Sequence, residues 1–215
     1  FENYCRAMHE PYVEETTDLV ISCLEGKIGS NALRKAIVER DRRMNIELEA
    51  SHLLGYLGKE LVSCFPQARF IITIREPHKW LKSRINYHYQ VRPAVWQKYR
   101  KYFWDDKNYG FVKEEMSLQK HNLCSLDTYL GQYSDHYKRV LSDVPENSRI
   151  IIKTCNINDR INDIADFIGL GSTKTLVPVE AKTSPKKIRI IDELDQEFVD
   201  KKIDEHCGWL IDKYF

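Results

Sequence analysis

The sequence predicts an α/β layered fold whose strands run parallel, and three observations carry that reading. Residues 69–74 (Arg69-Phe70-Ile71-Ile72-Thr73-Ile74) and 149–152 (Arg149-Ile150-Ile151-Ile152) are short, nearly continuous runs of β-branched and aromatic residues. Such runs mark strands buried on both faces, which is the condition of a parallel sheet. Stretches of helical periodicity separate them, and strands alternating with helices imply a parallel sheet covered by helices, a three-layer α/β/α arrangement with a mostly parallel central sheet.

Each element follows in turn. Residues 11–43 are helical in pattern: Val13, Leu19, Val20, Cys23 and Leu24 share a face, Gly26 is a C-cap, and a second helix runs through Leu33, Ala36 and Ile37. Residues 45–50 alternate polar and apolar, the pattern of a short strand, and a helix is expected over 53–64 before the turn at Phe65-Pro66-Gln67. After the strand at 69–74, Pro77 stands where a helix begins. Residues 87–120 are rich in aromatics and charge without a clean period; they read as an insertion or cover within a single domain spanning 1–215. Helices are expected over 126–141 and 161–168, the second ending at Gly169, then a loop over 171–189 and a last helix over 195–214. The strands at 45–50, 69–75 and 149–153 are expected as parallel neighbours in one sheet.

Composition narrows the partners. Lys and Arg total 33 against 32 for Asp and Glu, a net charge of +1. A nucleic acid or an acidic membrane surface would demand a basic surplus, so neither is expected. No apolar run approaches the ~20 residues that span a bilayer. The six cysteines are scattered, with neither C-x-x-C nor Cys/His spacing, so a metal site is not expected and reduced thiols in the cytoplasm are.

The chemistry concentrates in one segment, Phe65 to Arg75, continuing through Glu76-Pro77 to Trp80-Leu81-Lys82-Ser83. A buried strand ends in Arg, an acidic residue and Pro follow, and Ser lies eight positions after the Arg. Arg75 would emerge at the carboxyl end of a parallel strand, where α/β sheets place their ligands. The Arg carries a planar fork of donors, and Ser83 lies about two turns into the helix with a hydroxyl to offer.

This segment resembles the signature of the PAPS-dependent sulfotransferases, which have a P-loop NTPase-like α/β fold and move a sulfuryl group from the nucleotide PAPS to an acceptor. The resemblance extends to residues 150–170, ending in Phe167-Ile168-Gly169-Leu170, and to the last helix with His206-Cys207-Gly208. It implies that Arg75 and Ser83 hold the 3′-phosphate of PAPS and of its product PAP. It places His52, in Glu49-Ala50-Ser51-His52-Leu53, within one residue of the family's catalytic histidine. Behind His52 as candidate bases stand His9 and Glu10, near where relatives carry acceptor-activating groups, and Glu49, which orients the His52 ring or is the base itself. Lys186 and Lys187 fall where the family has a basic motif over the 3′-phosphate.

The family's Gly/Ser/Thr-rich phosphosulfate loop has no counterpart here; Gly26-Lys27-Ile28-Gly29-Ser30 has the wrong spacing. The resemblance places residues 1–6 in the helix that follows this loop, so the loop is expected upstream. His52 is expected at the same sheet edge as Arg75. The implied reaction is sulfuryl transfer to a hydroxyl or amine of a small-molecule, carbohydrate or lipid acceptor, with no metal. Two other readings stay open: a non-catalytic nucleotide- or partner-binding module of the same fold, and a nucleotide-dependent phosphotransferase, for which no Walker lysine is found.

Overall fold

The computed structural model describes residues 5–90, 93–108, 110–170 and 189–215. In order, the elements are β1 (Ala7–His9), α1 (Val13–Leu24), α2 (Ser30–Met44), β2 (Leu48–Ala50), α3 (Gly58–Cys64), β3 (Phe70–Ile74) and α4 (Pro77–Gln90). There follow α5 (Gln97–Arg100), α6 (Met116–Lys120), α7 (Leu126–Asp143), β4 (Arg149–Lys153), α8 (Ile161–Phe167) and α9 (Gln196–Tyr214). Helix predominates, the sheets are small, and both described strand pairs are parallel. The class is α/β, as the sequence predicts.

The chain forms two compact units, residues 1–74 with 138–179 and residues 75–137 with 180–215. In the first, β3 pairs with β4 from Phe70 opposite Arg149 to Ile74 opposite Lys153. Ile72 and Ile74, on one face of β3, and Ile152 of β4 are buried, whereas Thr73 on the other face of β3 is exposed, so burial in this pair is one-sided where the sequence leads one to expect both faces covered. In the second, α4 buries Leu81 and Ile85, α7 buries Leu126, Tyr129 and Leu130, and α9 buries Ile203 and Leu210. Residues 87–120 belong to this second unit. After α4 they form short helical turns that bury Tyr99, Phe103 and Trp104.

Several boundaries depart from the sequence reading. The strand expected at 45–50 is not a neighbour of β3 and β4: it is reduced to β2, which pairs with β1 in a separate two-stranded sheet. Asn45 explains the shortening, since it ends α2 in the left-handed conformation at φ 48°. The Arg6 carbonyl then accepts from the Glu47 and Leu48 N–H groups, at 2.8 and 3.2 Å, and sets the register with β1. For the same reason Cys5 and Arg6 are not helical but lead into a strand. The helix expected over 53–64 is split into a 3₁₀ turn at His52–Tyr56 and α3. Gly58 stands at the break, where an added Cβ would come within 3.0 Å of the Asp143 Cβ. Gly26 does cap α1: at φ 66° its N–H reaches the Cys23 carbonyl and Lys27 N–H reaches Ser22, the hydrogen-bond pattern of a Schellman end.

Candidate functional site

The first constellation grows from the carboxyl ends of β1 and β2. Their parallel register sets His9 opposite Ala50, and Glu10 N–H donates to the Ala50 carbonyl at 2.9 Å. Glu10 and His52 therefore leave the same end of one small sheet. Ser51 turns the chain there, its Oγ accepting from Leu53 N–H at 3.3 Å and capping the 3₁₀ turn that opens with His52. His52 Nδ1 lies 2.7 Å from Glu10 Oε1, with both side chains partly buried. A carboxylate only accepts, so the ring proton belongs on Nδ1, and in the neutral ring the lone pair is then on Nε2. Glu10 holds φ 48° and Tyr12 φ 49°, a conformation that costs a residue with a Cβ and that gathers at functional sites.

The other two candidates from this region are placed differently. His9 is exposed, 3.7 Å from the second Glu10 oxygen. Both oxygens of Glu49 are taken by Arg40, at 2.6 and 2.7 Å, and the same guanidinium reaches the Pro11 carbonyl at 3.0 Å. Arg40 is only 6% exposed, so Glu49 is the counter-charge of a buried cation. The orienting carboxylate of the His52 ring is Glu10. Because β2 lies in a different sheet from β3, His52 and Arg75 do not share a sheet edge, contrary to the sequence reading.

The second constellation begins where β3 ends at Ile74 and Arg75 follows. Glu76 closes the turn into α4: its two carboxylate oxygens accept from His78 and Lys79 N–H at 2.9 Å each, and Pro77 takes the first helical position, where no N–H is needed. The main chain of Arg75 is held by two tyrosines of α7. Tyr133 donates its hydroxyl to the Arg75 carbonyl, while the Tyr137 hydroxyl accepts from the Arg75 backbone. The Tyr133 ring packs on Trp80 at 4.4 Å between centroids and on Tyr137 at 4.9 Å. Burial pushes the Tyr133 hydroxyl well above the ordinary tyrosine range, and the Tyr137 hydroxyl up to about 12.

Among the described residues the Arg75 guanidinium and the Ser83 hydroxyl make no hydrogen bond or ion pair, and both residues are half-buried. The Arg75 main chain is thus engaged while the side-chain donors of Arg75 and Ser83 are uncommitted among the described residues. That is the donor set an oxyanion requires: a planar fork and a hydroxyl. Lys186 and Lys187 lie outside the described residues. The tyrosine pair was missed in sequence; its available signal was the i, i+4, i+8 repeat of Tyr129, Tyr133 and Tyr137 on an expected helix.

The comparisons decide the family. A family model described as a sulfotransferase domain matches residues 50–179, more than half of the chain. The chain belongs to the sulfotransferase family. The matched span holds His52, β3, Arg75, α4 with Ser83, α7 and β4, whereas His9, Glu10 and Glu49 precede it. No curated protein and no solved structure gives a match. No helix among the described residues is long and apolar enough to cross a membrane.

Proposed function

We propose that this sulfotransferase uses PAPS as its donor and transfers the sulfuryl group to a hydroxyl or amine of a small-molecule, carbohydrate or lipid acceptor in the cytoplasm. The observation that carries the proposal is the Arg75 turn: an uncommitted guanidinium at the end of a buried parallel strand, with a serine hydroxyl on the helix that follows. Parallel-strand ends are where α/β proteins bind nucleotides, and the chemistry of these donors fits a phosphate monoester such as the 3′-phosphate of PAP.

In this reading Arg75 and Ser83 anchor the nucleotide, and Lys186 and Lys187 add positive charge. His52 takes the acceptor's proton as a new bond forms to sulfur and the bond from sulfur to the nucleotide's phosphate oxygen breaks. Glu10 fixes the Nδ1–H tautomer and stabilises the imidazolium that results. His9 is a secondary group beside Glu10. Glu49 acts through Arg40, holding the segment that carries Glu10, and not as the base.

The test is transfer of labelled sulfuryl from PAPS by the full-length protein against an acceptor library, with ATP as the competing donor. Label in any acceptor, with release of PAP, supports the proposal. Phosphoryl transfer from ATP in its place would favour a phosphotransferase, and PAP binding without transfer to any acceptor would favour a non-catalytic module.

A further inference from the structure

α4 has two unlike faces. Pro77, Leu81, Ile85 and His88 are buried, whereas Trp80, Ser83, Arg84 and Tyr87, at the i, i+3, i+4 and i+7 positions of the other face, stay partly or wholly open. Arg84 sits in the middle of the open face. Its guanidinium carbon lies 5.6 Å from the centroid of the Trp80 ring, 6.0 Å from Tyr87 and 5.7 Å from Trp104. Among the described residues no carboxylate pairs with it and no acceptor bonds to it. Three ring faces fix where the cation sits and partly offset its lost hydration, but they satisfy none of its N–H groups.

A second donor stands beside it. Trp104 is 3% exposed, and its indole Nε1–H is buried with no hydrogen-bond partner among the described residues. Buried donors are seldom left unpaired, and an orphan one calls for an explanation. The Ser83 hydroxyl, one residue from Arg84 on the same face, is also uncommitted. Arg84, with Ser83 next to it in sequence and the Trp104 ring against it, thus brings together residues whose donors have no partner among the described residues, and Tyr87 on the same helix face is 37% exposed.

We propose that Arg84, caged by Trp80, Tyr87 and Trp104, is an oxyanion-binding residue distinct from Arg75. Its ligand is a sulfate, phosphate or carboxylate group, supplied either by an anionic acceptor or by the nucleotide. The guanidinium fork engages the anion, and the three rings hold the fork in place so that little side-chain entropy is lost on binding. The proposal extends the reading of Ser83 but does not require that Arg75 bind phosphate.

Calorimetric titrations test it. PAP is titrated into the wild type and into Arg84→Met, which keeps the aliphatic stem on the rings, and inorganic sulfate is titrated into both proteins with and without saturating PAP. Near-UV circular dichroism verifies the fold, and Arg84→Lys and Trp104→Phe serve as milder variants. Loss of the charge-assisted bond should weaken the affected ligand by about tenfold or more. Weaker sulfate binding to the PAP-saturated Arg84→Met protein assigns the site to an anionic acceptor. Weaker PAP binding, with no sulfate bound to the saturated wild type, assigns it to a nucleotide phosphate. If Arg84→Met leaves both PAP and sulfate affinities at their wild-type values, the proposal is overturned. Should the wild type bind no PAP, the nucleotide reading fails, and sulfate binding to the nucleotide-free protein still decides Arg84.

Discussion

The turn at Arg75 and the pair Glu10–His52 hold their working groups by opposite means. At Arg75 the protein spends its contacts on the main chain: two buried tyrosines engage its N–H and carbonyl, and Glu76 caps the helix beyond. Among the described residues the guanidinium itself is uncommitted. At Glu10 the main chain carries the strain, at φ 48°, and a side chain reaches 2.7 Å to His52 to orient it. The difference follows from the chemistry asked of each. An anion clamp needs a rigid base with unspent donors, whereas a proton-accepting histidine needs a partner that selects its tautomer and steadies its charge.

The largest effect expected from breaking this comparison is at His52. His52→Ala should lower sulfuryl transfer by roughly a hundredfold or more, the usual worth of a general base, and leave PAP affinity unchanged in calorimetry. Glu10→Gln, which keeps a hydrogen bond but not the charge, should lower turnover less. Full activity in both variants would remove the pair from catalysis.

Next comes the tyrosine clamp. Tyr133→Phe removes the hydroxyl from the Arg75 carbonyl and should weaken PAP several-fold, within the ~0.5–1.5 kcal/mol of one neutral hydrogen bond. A purely structural role would lower the melting temperature and leave PAP affinity intact. Burial of the Tyr137 hydroxyl also has a pH signature. Tyr137 titrates at about 12 when folded against ~10 when unfolded. The raised value means that its contribution is fully present below the unfolded value and is lost as pH rises through the folded one. Stability should therefore fall across that alkaline window, and the fall should be shallower in Tyr137→Phe; an identical pH profile would contradict the burial of the Tyr137 hydroxyl.

The smallest effect is at Glu76. Its two cap bonds to His78 and Lys79 should make Glu76→Ala cost about 1 kcal/mol in chemical denaturation, with a lesser change in PAP affinity. A larger loss in binding than in stability would mean that Glu76 serves the ligand directly.

What the sequence disclosed follows the same division. The places of Arg75 at a strand end and of Pro77 and Ser83 on the helix after it were legible because strand and helix are contiguous, and β3 with β4 because each is a short run rich in β-branched residues. The partner of His52 was not. Glu10 stands 42 residues away, and its register depends on β1, a three-residue strand whose Ala7-Met8-His9 carries no strand signature. The engagement of Glu49 by Arg40 was not legible either, because it joins a helix face to a strand, which spacing alone does not reveal. The tyrosine clamp spans 58 residues; the repeat on α7 predicts a packed face but not that its hydroxyls meet the turn at Arg75.

The most direct measurement of the central claim is the affinity of PAP for the full-length wild type, Arg75→Lys and Ser83→Ala, with adenosine as the control lacking phosphates. PAP should bind and raise the melting temperature through linkage, and adenosine should do so far less. Arg75→Lys keeps the charge but loses the fork, so PAP should weaken by about tenfold or more, and Ser83→Ala by less. PAP binding by Arg75→Lys equal to that of the wild type would contradict the account.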